Sequence, residues 1–161
     1  MLIKVAFGGG CHWCTEAVFL SLKGVEKVEQ GWVSSSLEEA KEPSEAVIVY
    51  FDVLLISLDV LVEIHLFTHN STSNHSFRKK YRSAVYSFTP SQEKEIQAIL
   101  LKKAKLFESP IVTKVYPYKS FKLNSEKYLN YYEKNREKAF CKTYIDPKLS
   151  LILKKYGTYV K

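Results

Sequence analysis

The chain has 161 residues, 46% hydrophobic and 25% charged, with three cysteines and a formal charge of +7. This is the balance of a globular chain that buries its own core, which excludes disordered, collagen-like and coiled-coil classes; three cysteines do not make a secreted disulfide scaffold, and no apolar run reaches the ~18 residues of a spanning helix. Residues 1–101 carry 9 basic and 12 acidic side chains and residues 102–161 carry 15 and 5, but the lysines of the basic third are scattered and follow no nucleic-acid motif, so a solvated face is expected there.

Leu2–Phe7 is apolar and β-prone and stops at Gly8-Gly9-Gly10, so the N-terminal stretch from Met1 reads as a strand rather than a signal peptide. Cys11–Lys23 reads as a helix, with Ala17, Val18, Leu20 and Leu22 on its apolar face and Gly24 closing it. Val25–Val33 alternates like a strand, Ser34–Ser44 is a polar loop, Ala46–Phe51 is a strand, and Ser57–His65 or slightly more is a helix. His69–Arg78 is loop-like and Ser83–Phe88 is a strand; Ser91 is placed to cap a helix reaching about Phe107. Pro110 breaks the chain before a short strand at Ile111–Val115, and Asn124–Asn135 and Pro147–Lys155 carry helical patterns. The first half thus runs β-α-β-β-α-β, the order of the ferredoxin-like split βαβ unit. The expected fold is α+β: a ferredoxin-like core with an additional C-terminal strand and helices. One domain, 1–161, is expected, with 136–161 an extension packed on it.

The chemistry concentrates in Phe7-Gly8-Gly9-Gly10-Cys11-His12-Trp13-Cys14-Thr15-Glu16-Ala17. Here a cysteine sits where a strand hands over to a helix. Helix N-termini offer free N–H groups and partial positive charge, which favour thiolate over thiol, so a depressed pKa and a nucleophilic Cys11 are expected. Cys14, three residues on, shares its helix face, and CxxC at a helix start is the spacing of redox dithiols. Three other readings compete: two buried apolar cysteines; half of a zinc site completed by His65 and His69 or by Cys141, although a second CxxC is absent; and a phosphate loop, although both GxGxxG and the Walker lysine are absent.

The segment GGGCHWCTEAVF resembles the active-site segment of the A-type peptide methionine sulfoxide reductases, whose usual core is GCFW. Further stretches resemble the same family in the same order: Leu22-Lys23-Gly24-Val25 with Gly31-Trp32, Glu45-Ala46-Val47 with Phe51-Asp52, Glu63-Ile64-His65, Tyr81-Arg82-Ser83-Ala84-Val85-Tyr86, Tyr131-Tyr132-Glu133-Lys134-Asn135, and a tail from Phe140-Cys141 through Pro147-Lys148-Leu149. The resemblance implies thiol-dependent reduction of methionine S-sulfoxide, in which Cys11 attacks the sulfoxide sulfur and becomes a sulfenic acid as methionine leaves. It implies Glu45 as the neutral acid that protonates the departing oxygen, Tyr81 as a hydrogen bond to that oxygen, and Trp13 as the aromatic on the substrate methyl. Cys14 and Cys141 are the two candidate resolving thiols, giving a disulfide that a thioredoxin-like dithiol reduces. No metal or cofactor, no nucleic acid and no membrane are implied; a cytoplasmic monomer is expected. The chain also departs from the family pattern. His12 replaces phenylalanine, giving the methyl pocket a titratable wall, and Trp32 replaces the second oxygen-binding tyrosine. Ser76 falls where an aspartate is usual, the loop before Glu45 is short, and Lys127-Tyr128 stand for tyrosine-histidine. These departures motivate an alternative, a redox-sensing or sulfoxide-binding module with weakened catalysis.

Overall fold

The computed structural model describes residues 2–161; Met1, the first residue of the stretch read as a strand, lies outside the described residues. In chain order the elements are β1 (Leu2–Gly8), α1 (His12–Leu20), β2 (Val25–Ser35), β3 (Ser44–Asp52), α2 (Leu58–Thr68), β4 (Ala84–Ser87), α3 (Pro90–Lys103), β5 (Lys114–Leu123), α4 (Tyr131–Lys134) and α5 (Asp146–Tyr156). β1 lies between β3 and β4, antiparallel to both, and β2 is antiparallel to β3. β5 runs antiparallel to β2 and parallel to β4, closing the five strands into a barrel. Where β5 crosses β2, Gly31 is required: a Cβ there would lie 2.0 Å from the Lys122 carbonyl oxygen.

Period-two alternation divides the strands into two faces. Val5 and Phe7 of β1, Val47, Val49 and Phe51 of β3 and Val85 of β4 meet the apolar stripes of α1, α2, α3 and α5 in the main core. Ala6, Ala46, Ala84, Ile48, Tyr86 and Tyr116 fill the opposite, inner face, where small residues leave room for the two tyrosines. Phe7 and Phe19 stack at 4.5 Å and fix α1 on β1, an arrangement worth about 0.5–1.5 kcal/mol beyond the area buried.

The elements up to β4 fall where the patterning puts them, with shifted ends. Cys11 caps α1 rather than belonging to it, and the helix stops at Leu20. α3 is capped by Thr89, whose hydroxyl accepts from the Gln92 N–H while Pro90 fills the first turn, so Ser91 is not the cap. α3 ends at Lys103, and a 3-10 turn, Ala104–Leu106, carries the chain on. The strand expected at Ile111–Val115 is instead β5, starting at Lys114 and twice as long; its three lysines and its largely exposed second half leave only a weak apolar signal. The helix expected over Asn124–Asn135 does not form as one piece. The Asn124 N–H is taken by the Gln30 carbonyl, and Asn130 adopts a left-handed conformation (φ 54°), leaving a 3-10 turn and the single helical turn of α4.

Candidate active site

Cys11 (φ −59°, ψ 129°) joins the glycine run to α1, and its carbonyl accepts from the N–H groups of Cys14 and Thr15 at 3.1 and 3.2 Å. The Trp13 N–H points back to the Cys11 sulfur. One turn on, Cys14 is 5% exposed and its thiol is hydrogen-bonded to that of Cys11. The expectation of a depressed Cys11 is therefore corrected. The bond to Cys14 and burial push Cys11 up. The same bond brings Cys14 down, and against the cost of burial the charge of Lys148 acts in the same direction. The two thiols are coupled through this bond, so ionisation of one opposes ionisation of the other.

Glu45 opens β3 beside the same helix end. Its Oε1 accepts from the His12 N–H at 3.2 Å, so the carboxyl caps the N-terminus of α1. In register, Glu45 faces Trp32 across β2 and β3, which brings these two predicted residues together. The Glu45 N–H donates to the Lys80 carbonyl, and the Ser44 hydroxyl accepts from the Arg82 N–H, so segment 80–82 is tied to the start of β3 and Tyr81 is held near Glu45. Lys80 Nζ lies 3.7 Å from Glu45 Oε2 and 5.1 Å from the Tyr81 ring centre.

His12 points the same way. Its Nδ1–H donates to the Gly31 carbonyl at 2.8 Å, which leaves Nε2 as an acceptor 3.4 Å from Glu45 Oε1 and 3.3 Å from Asn124 Nδ2. Burial holds it below the usual histidine value, so the ring is neutral near pH 7. Asn124 also donates to Gln30 Oε1, and Gln30 to the Tyr128 carbonyl. The polar wall expected from His12 is thus a fully bonded network. The ring edge of His12 meets Trp32, with centroids 5.1 Å apart.

On the other side of Cys11 lies a third cluster: Cys14, Ala17, Tyr131, Ile145 and the fully buried Cys141, with Trp13 and Phe140 against it. All three cysteines meet here. Trp13 stacks on Tyr131 at 4.0 Å, and its Nε1 has no hydrogen-bond partner among the described residues. His65 and His69, weighed above as zinc ligands, stack at 4.1 Å; His65 donates to the Gly8 carbonyl, and His69 bonds the His65 carbonyl and the Ser83 hydroxyl.

Four contributors escaped the sequence reading: Lys80, Asn124, Lys148 and Glu16, whose carboxylate accepts from the Asn130 and Tyr131 N–H groups. Lys80, adjacent to Tyr81, Glu16, inside the cysteine motif, and Lys148, inside the tail motif, carried a signal in the chain; Asn124 did not. Ser76 opens a 3-10 turn, Ser76–Lys79, whose Arg78 donates to the Gly9 and Tyr81 carbonyls.

A family model for peptide methionine sulfoxide reductase matches residues 3–159. Curated relatives include peptide methionine sulfoxide reductases MsrA from Deinococcus radiodurans, 34% identical over 96% of this chain and 82% of that protein, and from Trichodesmium erythraeum, 36% identical over 97% and 96%. Among solved structures, reduced Mxr1 from Saccharomyces cerevisiae superposes with a TM-score of 0.77 at 20% identity, covering 89% of this chain and 91% of that one. Methionine sulfoxide reductase A of Corynebacterium diphtheriae gives 0.71 at 21%, covering 84% and 76%.

Proposed function

The chain belongs to the peptide methionine sulfoxide reductase family, and we propose that in it Cys11 is the nucleophile, Glu45 the proton donor, Tyr81 the hydrogen bond to the sulfoxide oxygen and Cys14 the first resolving thiol. The activity is thiol-dependent reduction of methionine S-sulfoxide, free or in proteins, to methionine, an oxidoreductase reaction of protein repair. The observation that carries the assignment is the convergence at the start of α1, where the Cys11 thiol is bonded to a second thiol and the Glu45 carboxyl caps the same helix end.

The Cys14 thiolate takes the Cys11 proton across their shared bond, and Cys11 attacks the sulfoxide sulfur. Oxide is a very poor leaving group, and the proton from Glu45, bonded to the helix end and 6% exposed, makes its departure feasible. The net exchange of thiolate, sulfoxide and one proton gives Cys11 sulfenic acid and methionine. Cys14 then attacks the Cys11 sulfur, the S–O bond breaks, and the oxygen leaves as water. His12 and Trp32, in edge contact, line the substrate side with Trp13, the aromatic for the substrate methyl, which packs beside Cys11 against the cysteine cluster. Cys141 either receives the disulfide from Cys14 or packs the cluster.

A dithiol protein of the thioredoxin type completes the cycle; yeast Mxr1, similar in fold at a TM-score of 0.63 and 17% identity, has been solved in complex with Trx2. The same reading takes the antiparallel order β4-β1-β3-β2 as a ferredoxin-like core, residues 1–161 as one domain with 136–161 as its extension, and the protein as a cytoplasmic monomer; among the described residues no helix is long and apolar enough to cross a membrane. The test is to treat the reduced protein with one equivalent of substrate, block free thiols and map the disulfide by mass spectrometry. Cys11–Cys14 is expected. A Cys11–Cys141 crosslink, with Cys14→Ser keeping full dithiol-dependent turnover, would overturn the local assignment.

A further inference from the structure

Lys148 lies in the first turn of the C-terminal helix, half-buried where α5 packs on α1 and α2. Its neighbour Leu149 touches both the main core and the cysteine cluster. The ammonium donates to the Thr68 carbonyl at the end of α2 and forms no ion pair among the described residues. A cation withdrawn from water needs an anion nearby or it loses its proton. Burial pulls Lys148 down, and the charges of Cys14 and Cys11 pull it back up.

The other charged and titratable groups facing the dithiol do not supply that positive charge. Glu45 from β3 and Cys141 from the tail both oppose a thiolate on Cys14. His65 and His69, behind the glycine run, are kept neutral by burial, His65 pushed down to about 3. Arg78 spends its guanidinium on the carbonyls of Gly9, Asn70, Ser73 and Tyr81. Asp146 is bonded to the Tyr132 hydroxyl.

We propose that Lys148 is a positioning residue for the second half of the reaction: it holds negative charge on Cys14 so that Cys14 attacks the Cys11 sulfenic acid. In the reduced protein the Cys11 thiol also supports that charge by donating to Cys14. Once Cys11 carries oxygen this donor is gone, and the cation of α5 remains. In the attack the S–S bond forms, the S–O bond breaks, and the hydroxide released takes a proton to become water. The inference rests on the Cys11–Cys14 reading above and adds to it a role for the C-terminal helix.

Two readouts separate the inference from that reading. The first needs no substrate: thiolate absorbance of the reduced protein is followed against pH in wild type, Lys148→Met, Lys148→Gln and Lys148→Arg. Lys148→Gln keeps a donor for Thr68 without the charge, and Lys148→Arg keeps the charge. The midpoint of the first thiol ionisation is expected to rise by about one unit in the Met and Gln variants, the low end of the effect of a nearby opposite charge, and to stay in the Arg variant. The second is a single turnover without reductant, timing methionine release and disulfide formation separately. Disulfide formation is expected to slow about tenfold near neutral pH in Lys148→Gln, to recover at higher pH, and to slow more than methionine release. An unchanged midpoint, or disulfide formation slowed no more than methionine release, would overturn the role of Lys148. Absence of methionine release from the wild type would instead contradict the underlying reading, with the thiol titration still deciding whether Lys148 charges the pair.

Discussion

A thiol at a helix start is ordinarily drawn toward thiolate by the helix's positive end, yet Cys11 is pushed up because Cys14 is close enough to bond it. The spacing made the dithiol legible; which sulfur holds the proton depends on the rotamers of two neighbours and on a lysine more than 130 residues away in sequence, and no local pattern encodes that. Glu45 presents a similar contrast. Its motif was legible, but the Lys80 and His12 groups beside it come from separate segments folded against β3. Glu45→Gln preserves the shape and the acceptor for the His12 N–H but has no acidic proton, so turnover is expected to fall at least about a hundredfold, the low end of general-acid contributions. Steady-state reduction with a small dithiol measures it. A variant at wild-type rate would show that another group protonates the departing oxygen.

At the scale of elements, α1, α2 and the strands before β4 were legible because each buries one continuous apolar face. β5 was not, because most of its second half faces solvent and lysines interrupt it. The segment after it misleads for a different reason: Asn124 and Asn130 break a helical pattern by bonding to β2 and turning left-handed. What fixes α5 is polar as well as apolar. The Tyr156 hydroxyl donates to Glu63 Oε2 at 2.5 Å and Lys103 Nζ to Glu63 Oε1 at 2.8 Å, joining α5, α2 and α3. Burial opposes ionisation of Glu63, but these bonds outweigh it and hold its pKa below the usual carboxylate value. A group lowered in the folded state stabilises above its unfolded pKa, and that contribution is lost as pH falls through the folded one. Tyr156→Phe is therefore expected to cost about 1–2 kcal/mol at neutral pH, near the range for a hydrogen bond to a charged group. In urea unfolding this difference should shrink as the solution is acidified below the Glu63 range. A difference independent of pH would show that the loss is one of packing alone.

Over the whole molecule, closure of the barrel and docking of the tail assemble the site from opposite sides. β5 closes between β2 and β4 and delivers Asn124 to His12, while the tail delivers Cys141, Lys148 and the aromatic wall around Trp13. The first half of the chain supplies the proposed nucleophile, acid and first resolving thiol, and the second half supplies much of their surroundings. This division explains why the reaction was legible from short motifs while the electrostatics were not. It also frames the central claim, that one Cys11-centred site reduces the S epimer of methionine sulfoxide. The most direct measurement is a stereoresolved single turnover: reduced protein, no external reductant, each epimer separately, with methionine counted per chain. Wild type is predicted to release methionine stoichiometrically from the S epimer and none from the R epimer, and Cys11→Ser to release none from either. Equal yields from both epimers, or appreciable methionine from Cys11→Ser, would contradict the account.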